Sequence, residues 1–324
     1  MTVAASTRAY GRRAPQNFCR RQCYRLGTPA TAHPLRAVRS LSLVYACGPI
    51  YPPRRMGDSV EPSGIVTLLT DFGINDPFVG VMKGVVLSRF RAAQLVDLAH
   101  GVSPQDVREG SFWLARSVPW FPPGTVHVAV VDPGVGSERR ALAARCDDQI
   151  VLAPDNGLLS GVVARSARSA VHVIEPARFD LPPLSSTFHG RDLFAPVAAE
   201  LASGRRGLDA VGPMQMAPAP PSVVPPRQTD GAVEGTVVVV DRFGNLITDI
   251  DAAMVGPLGQ VQVRIADRLL ELRRTYADAR SGELVALINA FGTVEVARRD
   301  GDASRTLGLG RGQAVRVQKA AKPS

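Results

Sequence analysis

The sequence predicts an α/β protein in which a mainly parallel sheet is followed by a small antiparallel β-domain. From residue 64 to 213, short β-branched runs alternate with segments of helical spacing, as in parallel sheets whose two faces are covered by helices. From residue 229 to 324, short strands are separated by turns of Gly, Asp and Arg, which is typical of an antiparallel barrel or sandwich. The proline-rich stretch 214–228 between them predicts a stiff linker.

The first 63 residues differ from the rest and are expected to be a disordered, arginine-rich extension. Residues 1–57 contain ten Arg and no Asp, Glu or Lys and so carry +10, whereas the whole chain carries +9 and the remainder therefore −1. Because the basic charge is confined to this tail, a nucleic-acid partner is not expected. The tail is either an organelle-targeting peptide or, as we favour, the product of a start codon set upstream of Met56.

Apolar runs and cysteines point to a cytoplasmic protein. The longest early apolar run, 41–51, is shorter than the ~20 residues that span a bilayer, so no membrane partner is expected. Three of the four cysteines lie in the tail, and Cys19 and Cys23 have no second pair with which to build a zinc site. A reduced, cytoplasmic protein is the resulting expectation.

The predicted elements follow in order along the two domains. Asp76 and Pro77 signal the start of the first helix, and Gly204 is placed to end the last one. N-domain strands are predicted at 65–70, 94–98, 125–131, 150–153 and 171–174, and helices at 78–90, 103–118, from 156 onward, and at 191–202. C-domain strands are predicted at 233–240, 260–265, 269–272, 284–288, 293–296 and 314–317.

The central strand of the N-domain ends in a polar turn. Asp132 follows the β-branched run 125–131, and the turn 133–136 brings Arg139 back toward the same edge. Ligands of open α/β sheets bind at this carboxyl edge of the strands. The alternative interpretation is a plain strand-end turn with a solvated aspartate and surface arginines.

Three further polar clusters lie at predicted strand or helix ends: Asp71 with Asp76, residues 186–192 around His189, and residues 241–245. Each is weak evidence alone, because a single His before a helix is more often structural, and Asp-x-Phe-Gly-Asn is most often a turn. Four such clusters in this order are much more specific.

These clusters belong to a longer ordered set of motifs, found at 70–73, 82–84, 124–140, 153–159, 186–192 and 241–245. The set resembles the S-adenosyl-L-methionine (SAM) hydrolase (adenosine-forming) family, also called SAM hydroxide adenosyltransferases, which is related to the SAM-dependent fluorinases and chlorinases. The resemblance covers about 65–320. It implies a Rossmann-like N-domain, a C-terminal β-barrel, SAM as substrate, no cofactor, and a homotrimer with each active site between one subunit's N-domain and a neighbour's C-domain.

The resemblance also implies the roles of individual residues. Asp132, Arg139 and His189 match the catalytic trio, and the halogenases carry other residues at the first and last of these positions. Asp71 would hold the ribose hydroxyls. Asp241 and Asn245 would hold the methionine amine and the adenine edge. The substrate-binding residues are thus expected to be Asp71, Asp76, Phe188, Asp241, Phe243 and Asn245.

Some positions in the barrel depart from the family pattern. Ala290 stands where a serine commonly helps to hold the methionine carboxylate, and Thr293 stands where an aromatic residue is usual. Both concern the methionine end of the pocket rather than the chemistry at C5′.

Three rival functions remain open at this stage. A metal-dependent hydrolase could use the histidines and aspartates, although no metal-ligand spacing supports one. A chloride-using halogenase is disfavoured because Asp132 would repel an anion. A non-catalytic adenosine or SAM sensor is kept open by the barrel departures.

Overall fold

The computed structural model describes residues 61–215, 217–220 and 224–320. The predicted disordered extension lies outside these residues except at its last three positions. None of the helices in the described part of the chain is long and apolar enough to cross a membrane.

The N-domain is a seven-stranded mixed sheet with helices on both faces. The four strands β2-β1-β3-β5 run parallel, and the order continues antiparallel through β4, β6 and β7. The bounds are β1 Ile65–Thr70, α1 Phe78–Arg89, β2 Gln94–Ala99, α2 Val107–Ser117, β3 Val126–Val130, β4 Ala141–Cys146, β5 Gln149–Pro154, α3 Ser160–Arg165, β6 Ser169–Val173, α4 Ala195–Ala202 and β7 Met214–Gln215.

The C-domain is a closed barrel of seven strands. Their order is β10-β14-β13-β12-β11-β15-β9, and β9 pairs with β10 to close the ring, while β8 extends the sheet beyond β9. All pairs are antiparallel except β12 with β13. The bounds are β8 Arg227–Thr229, β9 Ala232–Val240, β10 Leu246–Asp251, α5 Ala252–Val255, β11 Val261–Ile265, β12 Arg268–Arg273, β13 Leu284–Ile288, β14 Thr293–Arg298, α6 Ala303–Leu307 and β15 Ala314–Lys319.

The predicted fold class is confirmed, and the differences from it are local. The alanine-rich β4 was not predicted, because Ala has little β-propensity and the strand is stabilised by pairing with β5 and β6. The helix expected from 156 begins at Ser160, since the Asn156 amide donates to the Val131 carbonyl (2.8 Å) and accepts from Leu158 N (3.2 Å), which makes a turn. The proposed domain boundaries remain predictions; β7 falls inside the predicted linker, and β8 begins within it and ends one residue beyond it.

Alternate residues of the central strands pack on opposite faces of the N-domain sheet. Val66 and Val128 join α1 and α4 in one apolar core, whereas Leu69 and Ala129 join α2 and α3 in the other. This period of two is what a strand covered on both faces requires. Because β1 and β3 run parallel, they end at the same edge of the sheet, where Asp71 and Asp132 lie.

The α2 helix also connects the two domains of the chain. Its Phe112 packs on barrel residues Val238, Val239 and Ile247. Ion pairs line the same seam, with Arg108 2.7 Å from Asp249, Arg116 2.8 Å from Asp251, and barrel residue Arg311 2.7 Å from Glu109. The barrel is thus fixed against the side of the sheet by both apolar and charged contacts.

A buried histidine in β3 should make stability fall in acid. His127 is fully buried, its Nδ1 is 2.8 Å from Thr67 Oγ1, and burial lowers its pKa from 6.5 to about 4 despite Gln149 nearby. The unfolded chain therefore takes up this proton at higher pH than the folded chain, so stability falls as pH drops from 6.5 toward 4, by about 3 kcal/mol. Urea unfolding at pH 7, 5.5 and 4.5 measures this loss. The His127→Asn variant should lose less free energy of unfolding over this pH range. An equal loss in the variant and the wild-type protein would contradict the prediction.

Candidate active site

The N-domain part of the candidate site forms where two neighbouring parallel strands end. Thr70 of β1 is in register with Val130 of β3. Asp71 directly follows the first strand, and Asp132 lies two residues beyond the second. The sheet therefore brings two carboxylates from distant sequence positions to one edge.

Asp132 and Arg139 form a closely held ion pair. The guanidinium Nε lies 2.8 and 2.9 Å from the two carboxylate oxygens, and Nη2 donates a further hydrogen bond to Oδ2. The side chains are only 4% and 9% exposed, respectively. Charge-assisted, forked pairing of this kind is strong and directional, so the surface-turn interpretation of this segment does not describe the structure.

His189 completes the trio through Arg139. The guanidinium Nη2 lies 2.9 Å from His189 Nδ1. Arginine has donors only, so Nδ1 accepts and the neutral imidazole carries its hydrogen on Nε2. Burial, followed by the positive charge of Arg139, lowers the pKa of His189 and keeps the ring neutral.

The two loops that carry the trio fit together because of a glycine. Gly136 has φ +79° and lies against the Ser186 backbone carbonyl, where a Cβ would collide with that oxygen. The 133–137 turn can therefore approach the 186–189 loop closely only without a side chain at this position.

The loop before His189 is held by its own hydrogen bonds. Asp192 Oδ2 accepts from Ser185 N at 2.9 Å, and Ser185 Oγ accepts from Phe188 N at 3.0 Å. Arg191 pairs with Asp192 and, as the main cause, lowers its pKa to about 2. His189 then leads into a π-helical turn, 190–194, before α4, and such turns occur frequently at functional sites.

The other N-domain residues predicted to bind substrate differ in how well they are placed. Asp71 Oδ2 accepts from Gln105 N at 2.8 Å, which orients the carboxylate. Phe188 packs edge-on against Phe72 and Phe78 at 5.9 and 5.5 Å between ring centroids. Asp76 is exposed and, among the residues that the structure describes, has no hydrogen bond or ion pair, so the structure does not bring it into the cluster.

The barrel residues predicted to bind substrate form a separate group. Asp241 Oδ1 accepts from Phe243 N and Asn245 N, both at 2.9 Å, and Oδ2 accepts from Asn245 Nδ2 at 3.0 Å. Asn245 is buried, whereas Phe243 is 74% exposed. Within 61–215, 217–220 and 224–320, no hydrogen bond or ion pair joins this group to the Asp132 trio; we call the two groups the barrel half-site and the N-domain half-site.

A buried acid beside Asp241 was missed by the sequence reasoning. Glu295 in β14 is 2% exposed and accepts from Tyr276 Oη at 2.6 Å and from Asn289 Nδ2 at 3.2 Å. Burial, which is the main cause, and the nearby charge of Asp241 raise its pKa. The available signal was an acidic residue between Val294 and Val296, which face the barrel core and leave Glu295 on the opposite face of the strand.

Potential metal ligands are dispersed. The described ranges contain no group of three or more His, Cys, Asp or Glu side chains that could hold a metal ion. The expectation of chemistry without a metal or cofactor stays a prediction.

Fold and site together define a two-domain protein, a Rossmann-like sheet joined to a β-barrel, with a carboxylate–guanidinium–imidazole cluster at the strand ends. Models of the SAM hydroxide adenosyltransferase N-terminal and C-terminal domains match residues 66–212 and 235–316. The chain therefore belongs to the SAM hydroxide adenosyltransferase family, and the resemblance inferred from its motifs is confirmed.

Individual relatives agree with this assignment. The chain is 40% identical to a Thermus thermophilus protein named (R)-S-adenosyl-L-methionine hydrolase, over 78% of this chain and 98% of the relative. A protein named fluorinase from Actinopolyspora mzabensis is more distant, at 27% identity over 79% and 97% of the two chains. The crystal structure of an uncharacterized conserved protein from Thermotoga maritima has a TM-score of 0.73 at 34% identity, covering 78% of this chain and 99% of that one.

Proposed function

We propose that this protein hydrolyses SAM at C5′ and releases adenosine and L-methionine. The observation that carries the proposal is the Asp132–Arg139–His189 trio, in which one guanidinium contacts both a carboxylate and an imidazole. Family membership and the names of the more similar relatives support the same reaction.

The chemistry makes different demands on the leaving group and on the nucleophile. The sulfonium departs as neutral methionine, so departure needs no general acid. Bulk water has a pKa of about 15.7, and ionising it at pH 7 would require about 8.7 pKa units, or about 12 kcal/mol. One guanidinium does not provide that much, so we infer that proton removal accompanies attack on C5′.

The hydrogen-bond directions favour Asp132 as the proton acceptor. Because Nδ1 of His189 accepts from Arg139, the neutral ring presents an N–H on its other side rather than a lone pair. Asp132 keeps an unused lone pair even with both of its oxygens bound to Arg139. We assign proton uptake to Asp132, charge stabilisation to Arg139, and orientation of the water to His189.

The substrate-binding roles follow from the two half-sites. Asp71 would accept both ribose hydroxyls, since an ionised carboxylate has lone pairs for two donors. Asp241 would face the methionine amine, with Asn245 and Phe243 at the adenine. Asp76 has no contact that supports its role, and it is the weakest of the assignments.

We further propose that the half-sites meet between copies of the chain in a homotrimer in the cytoplasm. Apolar side chains are exposed beside both halves: Phe78 (44%) next to Phe188, and Phe243 (74%) next to Asp241. Joining these surfaces would bury them and would complete the pocket. The free, buried Cys146 thiol is compatible with a reducing compartment.

A direct assay tests the proposed reaction. The purified full-length protein is incubated with SAM in EDTA, and the products are separated by chromatography. We expect adenosine and methionine in equal amounts, without added metal. Binding of SAM in calorimetry without turnover would instead support the sensor function, and recovery of activity only on adding a divalent metal would support the metal-dependent alternative.

The halogenase alternative is tested in the same assay with chloride added. Asp132 places negative charge beside the expected position of the nucleophile, which disfavours a halide. We expect adenosine as the sole nucleoside product at any chloride concentration. Formation of 5′-chloro-5′-deoxyadenosine would overturn this expectation.

The pH dependence of kcat/KM should reflect the neutral state of His189. Burial and Arg139 lower the pKa of this ring, so its neutral form persists as the pH falls below the usual value of 6.5. We expect kcat/KM to stay level through pH 6.5 and to decline only at lower pH. An acid limb centred at or above 6.5 in the pH–rate profile would contradict this prediction.

A further inference from the structure

A chain of hydrogen bonds, partly exposed at Lys83 and Asp97 and buried at His100 and Thr70, leads to the loop that carries Asp71, and the proposed chemistry does not use it. Lys83 Nζ lies 2.7 Å from Asp97 Oδ2, and His100 Nε2 lies 2.9 Å from Asp97 Oδ1. On its other side, His100 Nδ1 lies 2.9 Å from Thr70 Oγ1. His100 is 7% exposed and Thr70 is fully buried.

The direction of each hydrogen bond in this chain follows when the His100 imidazole is neutral. Burial raises the pKa of Asp97, but hydrogen bonds from His100 and Lys83 outweigh burial and hold it below its usual value, so the carboxylate only accepts. His100 therefore carries its hydrogen on Nε2, and Nδ1 accepts from the Thr70 hydroxyl. The hydroxyl oxygen in turn accepts from Phe72 N at 3.2 Å.

His100 also holds the loop through its backbone. Its carbonyl oxygen accepts from Gly73 N at 2.7 Å. The side chain thus fixes Thr70, immediately before Asp71, and the main chain fixes Gly73, two residues after it. A buried histidine is often only a structural residue, but both attachments of this one end on the four-residue turn that presents the Asp71 carboxylate.

We propose that His100 is a positioning residue for ribose binding: through Thr70 and Gly73 it fixes the backbone from which Asp71 faces the diol. The proposal rests on the proposed function, because it requires Asp71 to bind the ribose hydroxyls. The outer side of the carboxylate is already oriented by Gln105 N, at 2.8 Å. A binding group needs this support on both sides, since small displacements weaken two hydrogen bonds at once.

The test compares two ligands that differ only in the diol, adenosine and 2′,3′-dideoxyadenosine, by calorimetry on the full-length protein. His100→Leu should weaken adenosine binding about tenfold, within the range for hydrogen bonds to a charged group, and should leave dideoxyadenosine binding unchanged. KM for SAM should rise while kcat at saturation changes little. His100→Asn should recover most of the affinity, because its amide oxygen can still accept from Thr70.

The Asp71→Asn variant separates failure of this proposal from failure of the proposed function. If Asp71→Asn leaves the preference for adenosine intact, Asp71 does not bind the diol and the assigned role fails. If Asp71→Asn abolishes the preference for adenosine over dideoxyadenosine but His100→Leu leaves that preference at the wild-type value, only the role of His100 is overturned. We expect His100→Leu to add nothing in the Asp71→Asn background, because both act on the same contact.

Two controls address folding. If His100→Leu does not fold, Thr70→Val carries the test, because it keeps the β-branched shape and loses the hydroxyl; Thr70→Ser should restore adenosine binding. His172→Leu is the matched control, since His172 is equally buried in the same sheet and its ring contacts the Gly212 carbonyl at 3.0 Å. A loss of adenosine preference in His172→Leu would show general softening of the domain and would overturn the proposal.

Discussion

Replacing Asp132 with asparagine is expected to lower kcat for SAM hydrolysis by roughly 10²–10⁴-fold, the usual contribution of a general base. Asparagine retains the shape of the side chain and one oxygen for Arg139, but it cannot take up a proton. Because Asp132 is assigned to proton uptake in the transition state and not to SAM binding, KM for SAM should change little. Steady-state assays of adenosine release measure both parameters.

A neighbouring ion pair provides the control for this substitution. Arg140 pairs with Asp155 at 2.9 Å through Nε, and its side chain is 52% exposed. Arg140→Gln breaks an arginine–aspartate pair in the same turn and should leave kcat near the wild-type value. Wild-type kcat in Asp132→Asn would refute the role of this carboxylate, and a loss confined to KM would assign it to binding instead.

Two variants with defects in different half-sites are expected to restore each other's activity. Asp132→Asn damages the N-domain half, and Asp241→Asn damages the barrel half by removing an acceptor for Asn245 Nδ2. If each site joins the N-domain of one subunit to the barrel of a neighbour, every trimer that contains both variants has one intact site, or about one third of its sites. Activity should therefore rise from near zero to about one third of the wild-type value in co-expressed, doubly tagged and co-purified protein.

The outcome distinguishes two arrangements of the site. A site built within one chain would leave every site defective in the mixture, and only the residual activity of each variant would remain. A mixture of separately purified variants, tested before any subunit exchange, is the control for simple addition. Sedimentation of the wild-type protein measures the trimer independently, and a monomeric, fully active enzyme would overturn the proposed assembly.

Most strands with a continuous apolar run could be predicted closely from sequence, whereas β4 and β10 were not predicted. The run Leu284–Ile288 was predicted at its observed bounds, because its apolar pattern and flanking turn residues are local signals. The strand Ala141–Cys146 was missed, because it depends on neighbours that are distant in sequence. Closure of the barrel between β9 and β10 is likewise a property of pairing rather than of either segment.

The candidate site shows the same division. Asp132, Arg139 and His189 could be selected because their residue types and motif order are distinctive. Glu295 and His100 could not be selected from the sequence. A single acidic residue within a strand, or a single histidine just after a strand, indicates a role only when its hydrogen-bond partners are known. Tyr276 and Thr70, which supply those partners, lie 19 and 30 residues away in the chain.

The sequence by itself determined the two-domain α/β and β-barrel organisation, the family, and the residue types available for chemistry, because these follow from local periodicity and ordered motifs. Only the tertiary structure decided that Arg139 contacts both Asp132 and His189, and hence which imidazole nitrogen carries the hydrogen. It also decided that, within the described residues, no hydrogen bond or ion pair joins the Asp241 group to the Asp132 trio. Distances between side chains depend on how strands pair and loops pack, and no local pattern encodes them.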